Sequence, residues 1–296
     1  MNTVYPWKVF LQVAEDRSFR QAALALRVSP SAVSHVILKL EEETGFFLFV
    51  RSRGGVQLTA NGRLLVPYAR SLVGCCDALD QQLMGLRNVC AGEVRIAGFN
   101  SACAMWMPDI LRRFSAQYPQ VEVTVYQQGD RTVRRMVENG EVDLAFLSED
   151  IAGDCDFLPL HRTPLVCLAP RDFTPANGQY VTAEDLRDAV IILQADGYDT
   201  EIQRYLHMSS LPGKALYRLE VDATCHAYVE QGLGLCITPE MTFRCSPRDV
   251  GVWPIRPAIS RTVGLATVFP DFITPAAREM RRHILAYMAE QGLRNV

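Results

Sequence analysis

Residues 18–45 carry two short amphipathic helix patterns with their own start and stop signals. Ser18 followed three residues on by Gln21 has the spacing of a capping box. Phe19, Ala22, Ala23 and Leu26 then recur at three and four, one apolar face of a helix. Ser29 and Pro30 restart the chain as an N-cap residue and a proline at the first helical position. Val33, Val36, Ile37 and Leu40 form a second apolar stripe, and Gly45 stands where a C-cap glycine belongs. Two helices crossing steeply need small side chains at their contact, and Ala22 and Ala23 supply them. The pattern is that of a helix-turn-helix.

The second helix turns Ser31, Ser34, His35 and Leu38 to the opposite side, with Lys39 flanking them and Ser29 at its start. A helix fits the major groove of DNA, and short hydroxyl side chains allow close approach to base edges. The competing reading is an ordinary helical hairpin inside a core. Residues 46–50 are apolar, Arg51, Ser52 and Arg53 follow, then Gly54-Gly55 and Val56-Gln57-Leu58. Two short extended pieces about a double glycine predict a hairpin. Arg51 and Arg53 near its tip are placed to meet phosphates. A first helix over residues 3–15, with Trp7, Phe10, Leu11 and Ala14, is expected to close the small core.

The spaced residues Ser18-x-x-x-Ala22-Ala23-x-x-Leu26-x-x-Ser29-x-x-Ala32-Val33-Ser34-x-x-Ile37-x-x-Leu40-Glu41 resemble the N-terminal signature of LysR-type transcriptional regulators. Their continuation, Gly45-x-x-Leu48-Phe49-x-Arg51 and Leu58-Thr59-x-x-Gly62, keeps the same register. Leu38 and Gln57 stand where such regulators often carry basic or amide side chains, so base preference is not legible here. The resemblance implies a winged helix-turn-helix over residues 1–58, double-stranded DNA as partner, and a homodimer that in some members pairs into a homotetramer.

Charge is unevenly distributed. The chain has a net charge of −3, yet residues 1–90 hold ten Lys plus Arg against seven Asp plus Glu. A basic head on an acidic body fits a DNA-binding module joined to something else. Within 296 residues no basic start with an apolar stretch suggests a signal peptide, and no apolar run approaches a membrane span, so the cytoplasm is the expected location. The nine cysteines show no C-x-x-C spacing and read as reduced thiols.

Thr59 can cap a long helix running to about residue 88, and residues 59–90 are expected to form a linker. Leu65, Leu72, Leu79 and Leu86 recur every seven residues, with Tyr68, Cys75 or Cys76, and Leu83 between them, a seam that a second copy of the chain would bury. Packing on its own body is the alternative. Pro67 should bend this helix or remove one hydrogen bond.

From residue 93 the pattern alternates. Strands are expected at 94–98, 121–126 and 142–147, with helices at 105–118 and 132–139 between them. A second set follows at 165–169, 183–186, 190–193, 201–206 and 216–221. A helix at 227–231, strands at 235–238 and 263–269, and a helix at 275–291 close the chain. This order argues for α/β architecture with parallel strands. The family resemblance, carried on by Asn139-Gly140-Glu141-Val142-Asp143-Leu144-Ala145, Leu158-Pro159-Leu160 and Glu230-Gln231-Gly232-Leu233-Gly234, implies a two-lobed periplasmic-binding-protein-like effector domain over 91–296. Lobe I is expected at about 91–161 and 268–296, and lobe II at about 162–267.

Such sheets bind ligands beyond the carboxyl ends of their strands, where helix N-termini favour anions. Those places hold Asn100, Ser101, Gln127, Ser148, Gln194, Thr200, Thr224 and His226. The family resemblance marks Ser101 as a ligand-contacting position. A small anionic effector is therefore expected, although Ser101 and Thr224 can also serve as plain N-caps and Trp106 as core. No cofactor or metal is expected, since no P-loop, H-E-x-x-H or G-x-S-x-G sequence is present and the histidines form no ligand-spaced pair. Catalysis is thus a remote alternative, as is a solute-binding protein. Redox sensing through Cys103 or Cys225, both near expected helix starts, is a nearer one.

Overall fold

The caps anticipated at the N-terminus form. In a computed structural model that describes residues 4–52, 55–85, 92–194, 200–208, 215–268, 270 and 273–293, helices α1 (Tyr5–Asp16), α2 (Phe19–Ala25) and α3 (Pro30–Thr44) precede a hairpin of β1 (Phe49–Ser52) and β2 (Gly55–Leu58). The Ser18 hydroxyl accepts from Gln21 N at 3.3 Å, and Ser29 accepts from Ala32 N at 3.2 Å. The chain turns through 109° between α2 and α3. Gly45 ends α3 with φ of 75°, a backbone region that side chains disfavour. Val9, Phe10, Val13, Ala22, Ala23, Val33, Ile37, Leu40, Leu48 and Phe49 fill the core between these elements, with Trp7, Leu11 and Ala14 packed against it. Phe46 and Phe47, at the start of the apolar run, are exposed.

The linker helix α4 (Ala60–Gly85) starts at Thr59, whose hydroxyl accepts from Gly62 N at 2.9 Å and donates to Phe47 O at 2.8 Å. A Cβ on Gly62 would lie 2.3 Å from Leu48 O, so only glycine lets the helix pass this close to the hairpin. The helix runs continuously through Pro67. Of the seam expected, Tyr68, Leu72 and Leu79 are exposed, but Leu65 is not. Leu65 packs with Val66 and Ala69 against the head core. The exposed apolar row is Leu64, Tyr68, Leu72 and Leu79, and Leu86 lies outside the described residues. Leu65 was misassigned because the first turns of the linker also close the winged head.

The body continues with β3 (Gly92–Gly98), α5 (Asn100–Met105), α6 (Met107–Gln117), β4 (Val121–Gln127), α7 (Asp130–Glu138), β5 (Leu144–Ser148), α8 (Glu149–Ala152) and β6 (Asp156–Ala169). Then come α9 (Ala183–Leu186), β7 (Ile191–Gln194), α10 (Thr200–Met208), β8 (Ala215–Leu219), α11 (Asp222–Glu230), β9 (Leu235–Pro239), α12 (Glu240–Cys245), β10 (Gly251–Pro254), β11 (Ser260–Thr267) and α13 (Pro275–Glu290). The strands follow the order β4-β3-β5-β11-β6-β9-β7-β8, with β10 also on β6. Strands β4, β3 and β5 are parallel, as are β8, β7 and β9. Strands β6 and β11 join the two sets as an antiparallel pair. The first half of β6 pairs with β11, and its second half with β9 and β10.

Two details differ from the sequence reading. Strand β11 pairs with β5 over residues 263–266, so the return to lobe I falls within β11 rather than after residue 267. The first lobe's helix breaks at Trp106, giving α5 where a loop was expected. Trp106 is core, its ring packed on Phe146 and His161 at 5.5 and 5.7 Å. Separate apolar clusters cover both faces of the sheet in each lobe.

Candidate functional site

Helix α3 buries Val33, Ile37 and Leu40 and turns its polar side outward. Ser29, Ser31, His35 and Lys39 are exposed, Ser34 is half-buried, and Leu38 is 54 % exposed. The Ser29 and Ser31 hydroxyls lie 2.9 Å apart. The wing pairs Phe49 with Leu58 and Arg51 with Val56. The Arg51 side chain and the whole of Arg53 lie outside what is described. Glu41, which the sequence reading left without a role, accepts from Leu48 N at 2.6 Å and Phe49 N at 3.1 Å through one carboxylate oxygen. It thereby locks the wing to α3, and the two N–H bonds to one carboxylate are of the stronger, charge-assisted kind. The arrangement is a rigid convex edge: a polar helix face beside a hairpin.

Between the lobes lies a cavity of about 240 Å³ lined by Asn100, Ser101, Gln127, Asp130, Gln194, Asp222, Thr242 and Arg261, among others. Four of the expected residues therefore meet here: Asn100, Ser101, Gln127 and Gln194. Asn100 Nδ2 donates to Asp222 Oδ2 at 3.0 Å, from lobe I to lobe II, and Gln127 Nε2 donates to Asn100 Oδ1 at 3.2 Å. Ser148 is buried behind the wall, its hydroxyl donating to Asp130 Oδ2 at 2.8 Å. Thr200 begins α10, but its side chain is not among those described.

Two expected residues are placed elsewhere. Helix α11 starts at Asp222, two residues earlier than read, so Thr224 is exposed and Asp222 takes the wall. His226 is fully buried against Phe243, its Nδ1 donating to Ser246 O at 3.1 Å. Burial lowers the pKa of His226, which favours a neutral ring and removes it from any role in anion binding.

The sequence reading missed a buried charged cluster at the cleft floor. Arg261, on the crossing strand β11, lies 3.3 Å from Glu201 Oε2 and 3.9 Å from Asp130 Oδ2, with its guanidinium 5.5 Å from the Phe99 ring centroid. Asp130 is 1 % exposed, and desolvation raises its pKa against the opposing pull of Arg261 and the Ser148 hydrogen bond. An arginine in a strand with no other charged residue was the available signal, but its partners are far apart in sequence. Two of the helix N-termini that suggested an anion, those of α7 and α11, carry Asp130 and Asp222 in their first turns, so those two positive ends already meet carboxylates.

Neither cysteine considered for redox sensing is set up as a reactive thiol. Burial pushes the Cys103 thiol to about 11, the reverse of the helix-start effect expected. Cys225 packs with Cys236 in the core of lobe II and hydrogen-bonds it. Among the described residues no cluster of three or more His, Cys, Asp or Glu is arranged for a metal ion, and no single helix is long and apolar enough to cross a membrane.

Two family models match. The bacterial regulatory helix-turn-helix protein, lysR family, covers residues 6–63, and the LysR substrate binding domain covers residues 88–289. The probable HTH-type transcriptional regulator LrrA of Synechococcus elongatus is 27% identical over 91% of this chain and 92% of its own length. The HTH-type transcriptional activator IlvY of Salmonella typhimurium is 30% identical over 82% of this chain and 84% of its own. Among solved structures, full-length OxyR C199D from Pseudomonas aeruginosa superposes with a TM-score of 0.77 at 20% identity, covering 97% of this chain and 95% of that one.

Proposed function

The chain belongs to the LysR family of bacterial transcriptional regulators, and on that premise we propose how its parts divide the work. Residues 1–58 bind double-stranded DNA, residues 59–90 pair two chains, and residues 91–296 receive a small-molecule effector. Helix α3 enters the major groove with Ser31, Ser34, His35 and Leu38 toward base edges and Ser29 and Lys39 toward the backbone. Arg51 and Arg53 of the wing reach phosphates alongside. The row Leu64, Tyr68, Leu72 and Leu79 is the apolar surface that a second copy covers, making the unit a homodimer. The working location is the cytoplasm, where the DNA is.

The observation that carries this reading is the two-sided character of α3. One stripe, Val33, Ile37 and Leu40, is buried, and the other is polar, exposed and flanked by a wing. An ordinary core hairpin would bury both. DNA selected from a random pool by the full-length protein tests it: His35→Ala and Lys39→Ala should each weaken binding to the selected site without lowering the melting temperature. Full binding in both variants would contradict the assignment.

In the cleft, Asn100, Ser101, Gln127 and Gln194 are the polar groups that orient the effector. The effector acts by binding one lobe arrangement more tightly than another, which biases the geometry of the two heads on DNA. Its relatives are transcriptional regulators, and the cleft is assigned binding rather than turnover. The raised Cys103 thiol and the inward packing of Cys225 favour this effector reading over redox sensing through either residue.

A further inference from the structure

The sign of the cleft's charge follows from its walls. Among the described residues, Asp130, Glu220 and Asp222 line the cavity, with Arg261 as their cation. The Arg261 charge is answered at the floor by Glu201 and Asp130. An entering anion would therefore compete with two buried carboxylates for that guanidinium and face two more at the rim.

One atom points to what does bind. Asp130 is almost wholly buried yet lines the cavity. Its Oδ2 is engaged by Ser148 and lies near Arg261, while its Oδ1 has no hydrogen-bond partner among the described residues. Buried polar atoms are seldom left so, and an unpartnered oxygen on a carboxylate that lines a cavity calls for a donor. Across the cavity, Asp222 of lobe II presents a second carboxylate, one oxygen of which already accepts from Asn100 of lobe I. Around these charges the wall offers amides and hydroxyls, from Asn100, Gln127, Gln128, Ser101 and Thr242, that can serve the rest of a polar molecule.

We infer that the effector of this cleft carries a cationic nitrogen, a protonated amine or guanidine, that donates to Asp130 Oδ1 and sits between Asp130 of lobe I and Asp222 of lobe II. The inference rests on the cleft being the effector site and adds the chemical class. A cation held by one carboxylate from each lobe also draws the lobes together, whereas an anion there would part them.

Calorimetric titration of the full-length protein with two probe sets tests this. One set is cationic: ethylamine, agmatine and arginine. The other is anionic: acetate, glutarate and citrate. At least one cation should bind, with affinity falling tenfold or more in Asp130→Asn and also in Asp222→Asn, each checked for an unchanged fold by its melting profile. The anions should give no heat that depends on the cleft. An anion whose binding is lost in Asn100→Ala would overturn the cationic class and leave the cleft assignment standing. If probes of both sets bind without sensitivity to any of these variants, or none binds, both fall.

Discussion

At the scale of single residues, the costliest change is predicted at Arg261. Its side chain is 5% exposed and sits between Glu201 and Asp130, themselves 2% and 1% exposed. Removing one partner of a buried ion pair strands the other charges, so Arg261→Ala should lose about 3–5 kcal/mol of stability in urea unfolding. A loss below about 1 kcal/mol, the value typical of surface pairs, would show that the cluster is wet. Protonation acts at a second residue scale. The pKa values of His226 and His283 are lowered, first of all by burial. Each therefore binds its proton more readily in the unfolded chain, and stability should fall as the pH drops from about 6.5, the ordinary histidine value. Urea midpoints measured between neutral and mildly acidic pH should show this fall, and His226→Gln should flatten it. A midpoint that rises as pH drops would contradict the assignment. These residues also show what a sequence can and cannot tell. Ser18, Ser29 and Gly45 act on neighbours three or four positions away, so their spacing alone disclosed them. Arg261 depends on Glu201 and Asp130, 60 and more residues distant, and no local pattern records such a meeting.

At the scale of elements, α7 connects two places that matter. Its first residue, Asp130, stands in the cleft. The residues just past its end hold the linker: Arg70 of α4 donates to Asn139 O at 3.0 Å and lies 3.4 Å from Glu141 Oε1. Gly140 packs on the Arg70 side chain, where a Cβ would come within 3.2 Å. A helix is stiff over such a length, so a shift of Asp130 on ligand binding moves the Arg70 anchor. Arg70→Ala should keep effector affinity and DNA affinity nearly intact but reduce the factor by which the effector changes DNA binding. Titrations of DNA with and without effector measure that factor, and an unchanged value would remove α7 from the route. The linker makes its own prediction. Leu72→Glu or Leu79→Glu puts charge into the exposed apolar row, and sedimentation should show a shift toward monomer, with a dimer of wild-type strength as the contrary result. The helices and strands themselves were largely legible, because burial imposes periods of 3.6 and 2 on the sequence. The short α8 and α12 and the strand β10 were not. The Thr224 placement failed because a helix start off by two residues rotates the wall-facing position by about half a turn.

At the scale of the whole molecule, the sequence resemblance placed three parts in order, and the family models cover the first and last of them. What it could not set was the charge of the cleft. Helix N-termini favour anions in general, but here two of them already meet Asp130 and Asp222. On the cationic assignment proposed above, these side chains outweigh the backbone trend. The basic head on an acidic body remains the long-range electrostatic plan. It predicts a DNA affinity that declines steeply with salt, the slope lessening when Lys39 is replaced by alanine. The most direct test of the account is a structure of the full-length protein on its selected DNA. Helix α3 should lie within the major groove, with Ser31, Ser34 and His35 within hydrogen-bond distance of base edges. Finding α3 clear of the duplex, with the contact made through another surface, would contradict it.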